Sequence, residues 1–364
     1  MWISPILKGV YKLLSELKEI LHLQQAPGRT ALAGGREFLF FSGYSYLGMN
    51  FVPQFVSLLQ EGIQKFGWLY PSSRVSNTQL AVYEECEAQL AAFTGTENTV
   101  LFPSGFAAGR AVMKSKGPGI FNAPDAHPAI RGVKTSFNDF ESWSRWFVMT
   151  ADHDEAIRGL ASDAINPLTA DVYDFSFLTK VGKKIAVILD DSHGIGIMGA
   201  SGKGVSARLP MVSGEDYSIC YSLSKAFGIG AGAVSCSQED ARQLRCLPEY
   251  TAASPPLPAQ IYAFIKSGEL YAMQREKLIS NIRYFADCVK EISGIHYHDG
   301  FPVFVLPPDT DEGQLYASNI IISSFAYPDP QGVKLKRVVL NALHTKSDLD
   351  YLASCLYKSC KSFL

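Results

Sequence analysis

The chain has 364 residues, of which 47% are hydrophobic and 19% charged, and its formal net charge is −2. This length predicts two domains, or one large domain with a smaller partner. The balance of charges argues against nucleic-acid binding, and no apolar run reaches the roughly 18 to 20 residues that a membrane span needs. We expect a soluble globular protein with a buried site.

The seven cysteines are odd in number and form no CxxC pair. They favour reduced thiols in a cytoplasm over a disulfide framework, so we predict a cytoplasmic protein. At the N-terminus, apolar residues from Ile6 to Leu21 recur at helical spacing with charged residues between them. This pattern predicts a docking helix, with a helix lying on a membrane surface as the alternative.

Hydrophobic patterning predicts strands that alternate with helices, and then a change of texture after Pro255-Pro256. The run KIAVIL at 184–189 is the clearest buried strand. In chain order, the predicted elements are a strand at 37–42, a helix at 79–93, a strand at 99–102, a helix at 106–114, strands at 184–189 and 217–221, one long helix at 257–289, strands at 303–306 and 319–323, and a helix at 347–357. This order predicts an α/β domain with a mainly parallel sheet, followed by a smaller α+β domain.

Two segments imitate known motifs. GIGIMG at 194–199 matches the dinucleotide fingerprint GxGxxG, but the ASGKG that follows is too rich in glycine to begin the required helix. The same segment fails as a P-loop, since Gly204 stands where a serine or threonine must bind magnesium. His296 and His298 alternate along a short segment, which is typical of a surface face, with a metal pair as the alternative.

Three predicted strand ends carry the residue types of a binding site. The turn Pro103-Ser104-Gly105 leads into a helix, so free backbone N–H groups can bind a phosphate, although an ordinary turn has the same pattern. Asp190 ends the buried strand, where a carboxylate needs a cationic ligand group unless it caps the next turn. Lys225 follows the next strand among hydroxyl and small residues, and a partly dry site would lower its pKa, as a Schiff-base amine needs.

These junctions supply a phosphate cradle, a carboxylate for a protonated ring nitrogen and an amine for an aldehyde. Pyridoxal 5′-phosphate needs all three, because it withdraws electrons only while its pyridinium stays protonated. The sequence therefore predicts this cofactor and no metal.

The chain resembles the α-oxoamine synthase family of fold-type I pyridoxal-phosphate enzymes, whose members include 8-amino-7-oxononanoate synthase, 2-amino-3-ketobutyrate CoA ligase and serine palmitoyltransferase. The most specific motifs are DDSHG at 190–194 and SLSKA at 222–226. Further segments that carry the resemblance are GYSYLG at 43–48, Ser73-Arg74 with EECE at 84–87, TAASPP at 251–256, and LKRV with HT between 335 and 345. The resemblance implies a large domain at 46–254, a small C-terminal domain at 255–364, and an N-terminal helix and arm at 1–45.

The resemblance also implies a role for each matching residue. Lys225 would form the internal aldimine, Asp190 would pair with the pyridine nitrogen, His193 would contact the ring hydroxyl, and His127 would stack on the ring. The phosphate would be held by Ser104, Gly105, Phe106, Ser222 and Ser224, with Thr251 reaching the phosphate of the neighbouring subunit in a homodimer. On the substrate side the residues are Arg337, which would bind the amino-acid carboxylate, with Tyr44 and Arg74.

The implied reaction is a decarboxylative condensation of a small amino acid with an acyl-CoA thioester, through a lysine aldimine and a quinonoid. The alternatives are an aminotransferase of the same fold and a non-catalytic scaffold subunit. Four departures from the family pattern stand out, and two of them are Tyr44, where many members have asparagine, and Pro167, where a serine is usual. Both departures fall around the substrate and not around the cofactor.

Overall fold

The computed structural model describes residues 20–210, 216–326 and 331–360. The N-terminal docking helix predicted from the sequence falls almost wholly outside them. None of the helices within these ranges is both long and apolar enough to cross a membrane.

Strands and helices alternate through the first two thirds of the described chain. The elements up to the middle are β1 (Thr30–Ala33), β2 (Arg36–Phe41), α1 (Pro53–Phe66), α2 (Ala81–Thr94), β3 (Asn98–Phe102), α3 (Gly105–Lys116), β4 (Ile120–Asn122), β5 (Val133–Lys134), α4 (Phe140–Ala151), β6 (Gly159–Asp163), β7 (Ile165–Asn166), β8 (Asp171–Val172) and β9 (Ala186–Asp190). Those that follow are β10 (Asp216–Ser222), β11 (Gly232–Cys236), α5 (Gln238–Arg245), α6 (Pro248–Thr251), α7 (Pro258–Lys266), α8 (Gly268–Val289), β12 (His296–Tyr297), β13 (Val303–Val305), α9 (Glu312–Ala317), β14 (Ile320–Ala326), β15 (Lys334–Val339) and α10 (Lys346–Ser359).

A seven-stranded sheet forms the centre of the larger part, in the order β3-β11-β10-β9-β6-β4-β5. The neighbours from β10 to β5 are parallel, and β11 alone runs against both of its partners. Most residues of these strands are buried, as expected for a sheet covered on both faces. The predicted mainly parallel sheet is confirmed.

A second sheet joins both ends of the chain, in the order β1-β2-β14-β15-β13-β12. Strand β2 pairs in parallel with β14, and all other neighbours in this sheet are antiparallel. Arg29 forms an ion pair with Asp348 at 2.7 Å, which ties the N-terminal strands to α10. The arm before residue 46 therefore contributes to the sheet of the C-terminal part.

The prediction of one long helix at 257–289 is wrong, because the chain breaks between α7 and α8. Buried Ser267 lies at the break, and its hydroxyl donates to the carbonyl oxygen of Ala263 at 2.6 Å. A serine whose hydroxyl bonds to the preceding turn bends a helix. Gly268, which follows it, makes it easier for the next helix to begin in a different direction. The apolar periodicity continues across the break, which is why the sequence pattern did not reveal it.

Candidate active site

The carboxyl ends of the central strands surround a cavity of about 250 Å³. Ligands bind at this edge in open α/β sheets, because the loops after the strands and the helix N-termini meet there. The residues that line the cavity are Ser104, Gly105, Phe106, His127, Asp163, Pro167, Asp190, Ser192, His193, Ser222 and Lys225. The structure thus brings together eight residues that the sequence predicts for the cofactor.

One end of the cavity is formed by the N-terminus of α3. Ser104 caps this helix by accepting the Ala107 N–H at 3.2 Å. A Cβ atom on Gly105 would lie 2.7 Å from the Ser222 Cβ, so only glycine allows this close approach. The Ser222 and Ser224 hydroxyls are hydrogen-bonded to each other at 2.8 Å. Helix N–H groups and two hydroxyls here suit a phosphate.

Two carboxylates end neighbouring strands at the floor of the cavity. Asp163 of β6 and Asp190 of β9 are register partners, so their side chains emerge side by side. The His127 ring nitrogen Nδ1 lies 3.9 Å from an Asp190 oxygen, and the backbone N–H of His127 donates to Asp163 at 3.3 Å. Burial, reinforced by the charge of Asp190, raises the pKa of Asp163 well above its usual value. The site therefore favours the protonated form of Asp163.

Lys225 and His193 are in direct contact on the other side of the cavity. Lys225 Nζ lies 2.7 Å from His193 Nε2, and His193 Nδ1 lies 2.8 Å from the Tyr46 hydroxyl. Burial lowers the pKa of Lys225, although the charges of Asp190 and Asp163 oppose this. Burial also lowers the pKa of His193 well below its usual value. The site therefore favours a neutral imidazole and promotes an unprotonated amine.

Arg337 extends from β15 toward the same site and is completely buried. Its guanidinium donates to the carbonyl oxygen of Pro167 and, at 3.2 Å, to the Tyr44 hydroxyl. Its Nε is buried without a hydrogen-bond partner. A buried cation that has only neutral partners is costly, so this guanidinium is suited to a carboxylate ligand.

Five predicted residues do not line the cavity, and two of them, Arg74 and Thr251, also lack the contacts with its lining residues that Tyr44, Ser224 and Arg337 make within the described chain. Arg74 is buried away from it, where its guanidinium pairs with Glu87 at 3.1 Å and lies over the Tyr83 and Tyr250 rings. Thr251 ends α6, and its carbonyl oxygen accepts the Ser73 hydroxyl at 2.6 Å. A role for Thr251 in a neighbouring subunit stays a prediction.

The glycine-rich segment after His193 packs against one buried carboxylate. Asp191 accepts the Val205 N–H at 2.8 Å, and a Cβ atom on Gly194 or Gly204 would clash with its oxygens at 2.2 and 1.8 Å. Only short 3-10 turns follow the segment, at Ala200–Gly202 and Gly204–Ala207. The glycines make room for Asp191, and no helix begins there to hold a pyrophosphate.

Nothing in the described residues places three histidine, cysteine or acidic side chains around a metal position. His296 instead pairs with Asp171 at 3.2 Å, and both side chains are exposed.

The sequence interpretation missed three residues at the site, namely Asp163, Ser192 and Tyr46. Ser192 accepts the Ser222 N–H at 2.9 Å and so joins the ends of β9 and β10. A signal for Asp163 was present, because a carboxylate ends the apolar run GLASD four residues before Pro167. Tyr46 gave no such signal, since its contact with His193 spans 147 residues of sequence.

Known proteins of similar sequence and structure match nearly the whole chain. The chain is 27% identical over 365 residues to an 8-amino-7-oxononanoate synthase of Buchnera aphidicola subsp. Baizongia pistaciae, with 92% of each chain covered. It is also 27% identical to the synthase of that name from Petrotoga mobilis, with 93% of each covered. A solved serine palmitoyltransferase from Sphingomonas wittichii superimposes with a TM-score of 0.81 at 19% identity, covering 98% of this chain and 96% of the other.

These similarities confirm the resemblance to the α-oxoamine synthases and the predicted fold class. The family model for aminotransferase class I and II matches residues 147–356, which is more than half of the chain. This match includes both of the most specific motifs, with Asp190 and Lys225. The chain therefore belongs to the aminotransferase class I and II family.

Proposed function

We propose that this protein is a pyridoxal 5′-phosphate-dependent transferase that condenses a small amino acid with an acyl-CoA thioester and releases carbon dioxide. The observation that carries the proposal is Arg337, a buried cation near Lys225 that has no carboxylate partner among the described residues. A free amino acid supplies such a carboxylate. The two synthases named above extend over nearly the whole chain and support the acyl-transfer step.

The residues at the cavity fit the cofactor. Asp190 would pair with its ring nitrogen, the N-terminus of α3 with Ser222 would hold its phosphate, and His127 would lie against its ring. The raised pKa of Asp163 favours its neutral form beside Asp190. When bound, the cofactor takes up the electrons released at the α-carbon of the amino acid.

The chain's own residues would orient the amino acid and move its proton. Arg337 would fix the carboxylate, and its planar fork would set the direction of the α-carbon. Burial lowers the pKa of Lys225, which favours the unprotonated amine that would accept the α-proton at Nζ. Tyr44 contacts both groups, since its hydroxyl accepts from Arg337 and its ring lies 5.6 Å from Lys225 Nζ.

The proposal is tested with purified protein, glycine, alanine or serine, and a series of acyl-CoAs of increasing chain length. We expect release of the free CoA thiol with at least one pair, and none with Lys225→Ala. Thiol release that persists in Lys225→Ala, or none in the wild type with any pair, would contradict it.

An aminotransferase is the second candidate, favoured by the match of residues 147–356 to the family model for aminotransferase class I and II. It would yield a 2-oxo acid from the amino acid without consuming thioester, which the same mixtures can reveal. A scaffold subunit has no use for a buried amine of low pKa, and it would remain colourless with added pyridoxal phosphate.

We also propose a homodimer with shared sites. The segment between α1 and α2 exposes Trp68, Leu69 and Val75, with 59%, 59% and 60% of their surfaces accessible. This apolar patch adjoins Ser73, which bonds to Thr251, the residue predicted to reach the neighbouring phosphate. A cytoplasmic location is part of the proposal, and the seven free cysteines support it.

A further inference from the structure

Tyr46 is a fully buried tyrosine beside the cavity, and the reaction as described so far gives it no role. Its hydroxyl lies 2.8 Å from His193 Nδ1, which is its only hydrogen-bond partner within the described part of the chain. Its ring packs against those of Tyr44 and Phe301, with centroids 6.1 and 6.2 Å away. The phenol hydrogen therefore has one acceptor within reach, the Nδ1 of His193.

This contact decides where His193 carries its own hydrogen. A neutral imidazole has one N–H and one accepting nitrogen, and the partner of one nitrogen selects the state of the other. If the Tyr46 phenol donates to Nδ1, the hydrogen of His193 is on Nε2. Nε2 then points this hydrogen at Lys225 Nζ, 2.7 Å away.

The opposite arrangement leaves a buried hydrogen without an acceptor. If Lys225 were an ammonium that donates to Nε2, Nδ1 would carry the hydrogen and would donate to Tyr46. The phenol hydrogen would then be buried and unpaired, which folded proteins avoid. Only the first arrangement satisfies all three side chains.

The burial of Tyr46 and His193 agrees with this assignment. Burial raises the pKa of Tyr46 well above its usual value, and Tyr44 adds to this while Arg337 opposes it. The phenol therefore keeps its hydrogen. Burial lowers the pKa of His193, and the neighbouring charge of Arg337 also lowers it.

We propose that Tyr46 is a positioning residue that holds the hydrogen of His193 on Nε2 and so makes the Lys225 amine the acceptor of their hydrogen bond. Only an unprotonated amine offers a lone pair to a carbonyl carbon, so Tyr46 would act on Lys225 through His193. The inference rests on the proposed function only in taking Lys225 as the reacting amine. Asp190 and Asp163 favour the ammonium and oppose this arrangement.

Nitrogen-15 NMR of histidine-labelled protein without cofactor tests the assignment directly. The His193 signals are identified by their loss in His193→Gln. We expect an unprotonated Nδ1 and a protonated Nε2 in the wild type. In Tyr46→Phe we expect a mixture of the two neutral tautomers of His193. A protonated Nδ1 in the wild type, or unchanged His193 signals in Tyr46→Phe, would overturn the proposal. This readout needs neither cofactor uptake nor turnover, so it can succeed where the proposed function fails.

The pH dependence of visible absorbance in the cofactor-loaded protein gives a second readout. Without the hydrogen on Nε2, the Lys225 nitrogen keeps its proton to higher pH. Tyr46→Phe should therefore raise the pH midpoint of the absorbance change by about 0.5 to 1 pH unit. The matched control is Tyr221→Phe, which removes another buried hydroxyl, bonded to Ser235 at 2.8 Å. A midpoint that moves equally in both variants, or in neither, would contradict a role specific to Tyr46.

Discussion

The burial of the Arg337 guanidinium lowers the stability of the folded protein, and a bound carboxylate ligand would offset this loss. Its guanidinium is buried beside a carbonyl and a phenol, and no carboxylate in the described residues pairs with it. We predict that Arg337→Met unfolds at the same or a higher temperature than the wild type, because an apolar group of similar length removes an uncompensated charge. The variant should lose about 2–3 kcal/mol of amino-acid binding, roughly 30- to 150-fold in affinity.

Amino-acid affinity is measured by titration, followed through the visible absorbance of the cofactor-loaded protein, and stability by thermal unfolding. Lys336→Met is the matched control, since it removes a positive charge from the adjacent position of β15, where Lys336 bonds to the carbonyl oxygens of Pro308 and Thr310. The control should bind the amino acid as the wild type does. Equal affinities in wild type and Arg337→Met would remove Arg337 from the carboxylate site.

Asp191 predicts a pH dependence of stability. Burial raises its pKa to about 8, whereas an unfolded aspartate releases its proton near pH 4, at its ordinary pKa of about 3.9. Between these values the folded state binds more protons than the unfolded state, so this residue lowers stability as pH rises. Asp191→Asn removes the titration while keeping an oxygen for the Val205 N–H. The unfolding free energy of the variant minus that of the wild type should therefore increase with pH, by up to about 1.4 kcal/mol per pH unit between about pH 5 and 7.

The measurement is urea unfolding at a series of pH values. Asp152→Asn serves as the control, because its exposed carboxylate accepts the Lys183 and Gly182 N–H groups, which lower its pKa below the usual value. Its effect should stay constant over the same pH range. A constant difference for Asp191→Asn as well would show that this carboxyl is already ionised at pH 5.

At the scale of elements, Glu87 links three of them. From α2, its oxygens accept Arg74 at 3.1 Å, Arg245 of α5 at 2.9 Å and the Leu101 N–H of β3 at 3.0 Å. We predict that Glu87→Gln lowers the free energy of unfolding by about 3 kcal/mol, because it leaves Arg74 buried without a counter-charge. Glu84→Gln, on the exposed side of the same helix, should change it by less than about 0.5 kcal/mol.

Urea unfolding also distinguishes a lost charge pair from general damage to α2. Removing both buried charges in Arg74→Met/Glu87→Leu should recover most of the stability, since only Arg245, whose side chain is one-third exposed, then lacks its counter-charge. If the double variant is as unstable as Glu87→Gln, the packing of the helix and not the ion pair accounts for the loss.

The same elements explain what could be predicted from the sequence. Lys225, Asp190 and Ser104 follow apolar strands, and the carboxyl ends of parallel strands share one edge, so their meeting follows from local patterns. Contacts that depend on distant parts of the chain gave no such signal. Arg74 lies beside a family-like motif, yet its buried partners are set by how α2 packs on the sheet. The helix break at Ser267 was not predicted, because the apolar periodicity is the same on both sides of it.

At the scale of the whole molecule, shared sites predict that two defective subunits can complement each other. Lys225→Ala should remove the reacting amine, and Thr251→Ala should weaken the phosphate contact to the neighbouring subunit. In a mixed dimer, one site would combine Lys225 from the second variant with Thr251 from the first, and so would be intact. Random pairing makes half of the dimers mixed, so mixing equal amounts after dissociation should restore about a quarter of the sites.

Cofactor-dependent absorbance and thiol release are measured before and after the variants are dissociated in mild denaturant and reassociated together. Each variant treated alone is the control and should stay at its own low level. Trp68→Glu in both chains should prevent the recovery, because a charge on the exposed apolar patch opposes burial of that surface between subunits. Sedimentation would then show a monomer. A dimer without recovery would mean that Thr251 acts within its own subunit or not at the phosphate, and recovery without any dimer would rule out shared sites as its cause.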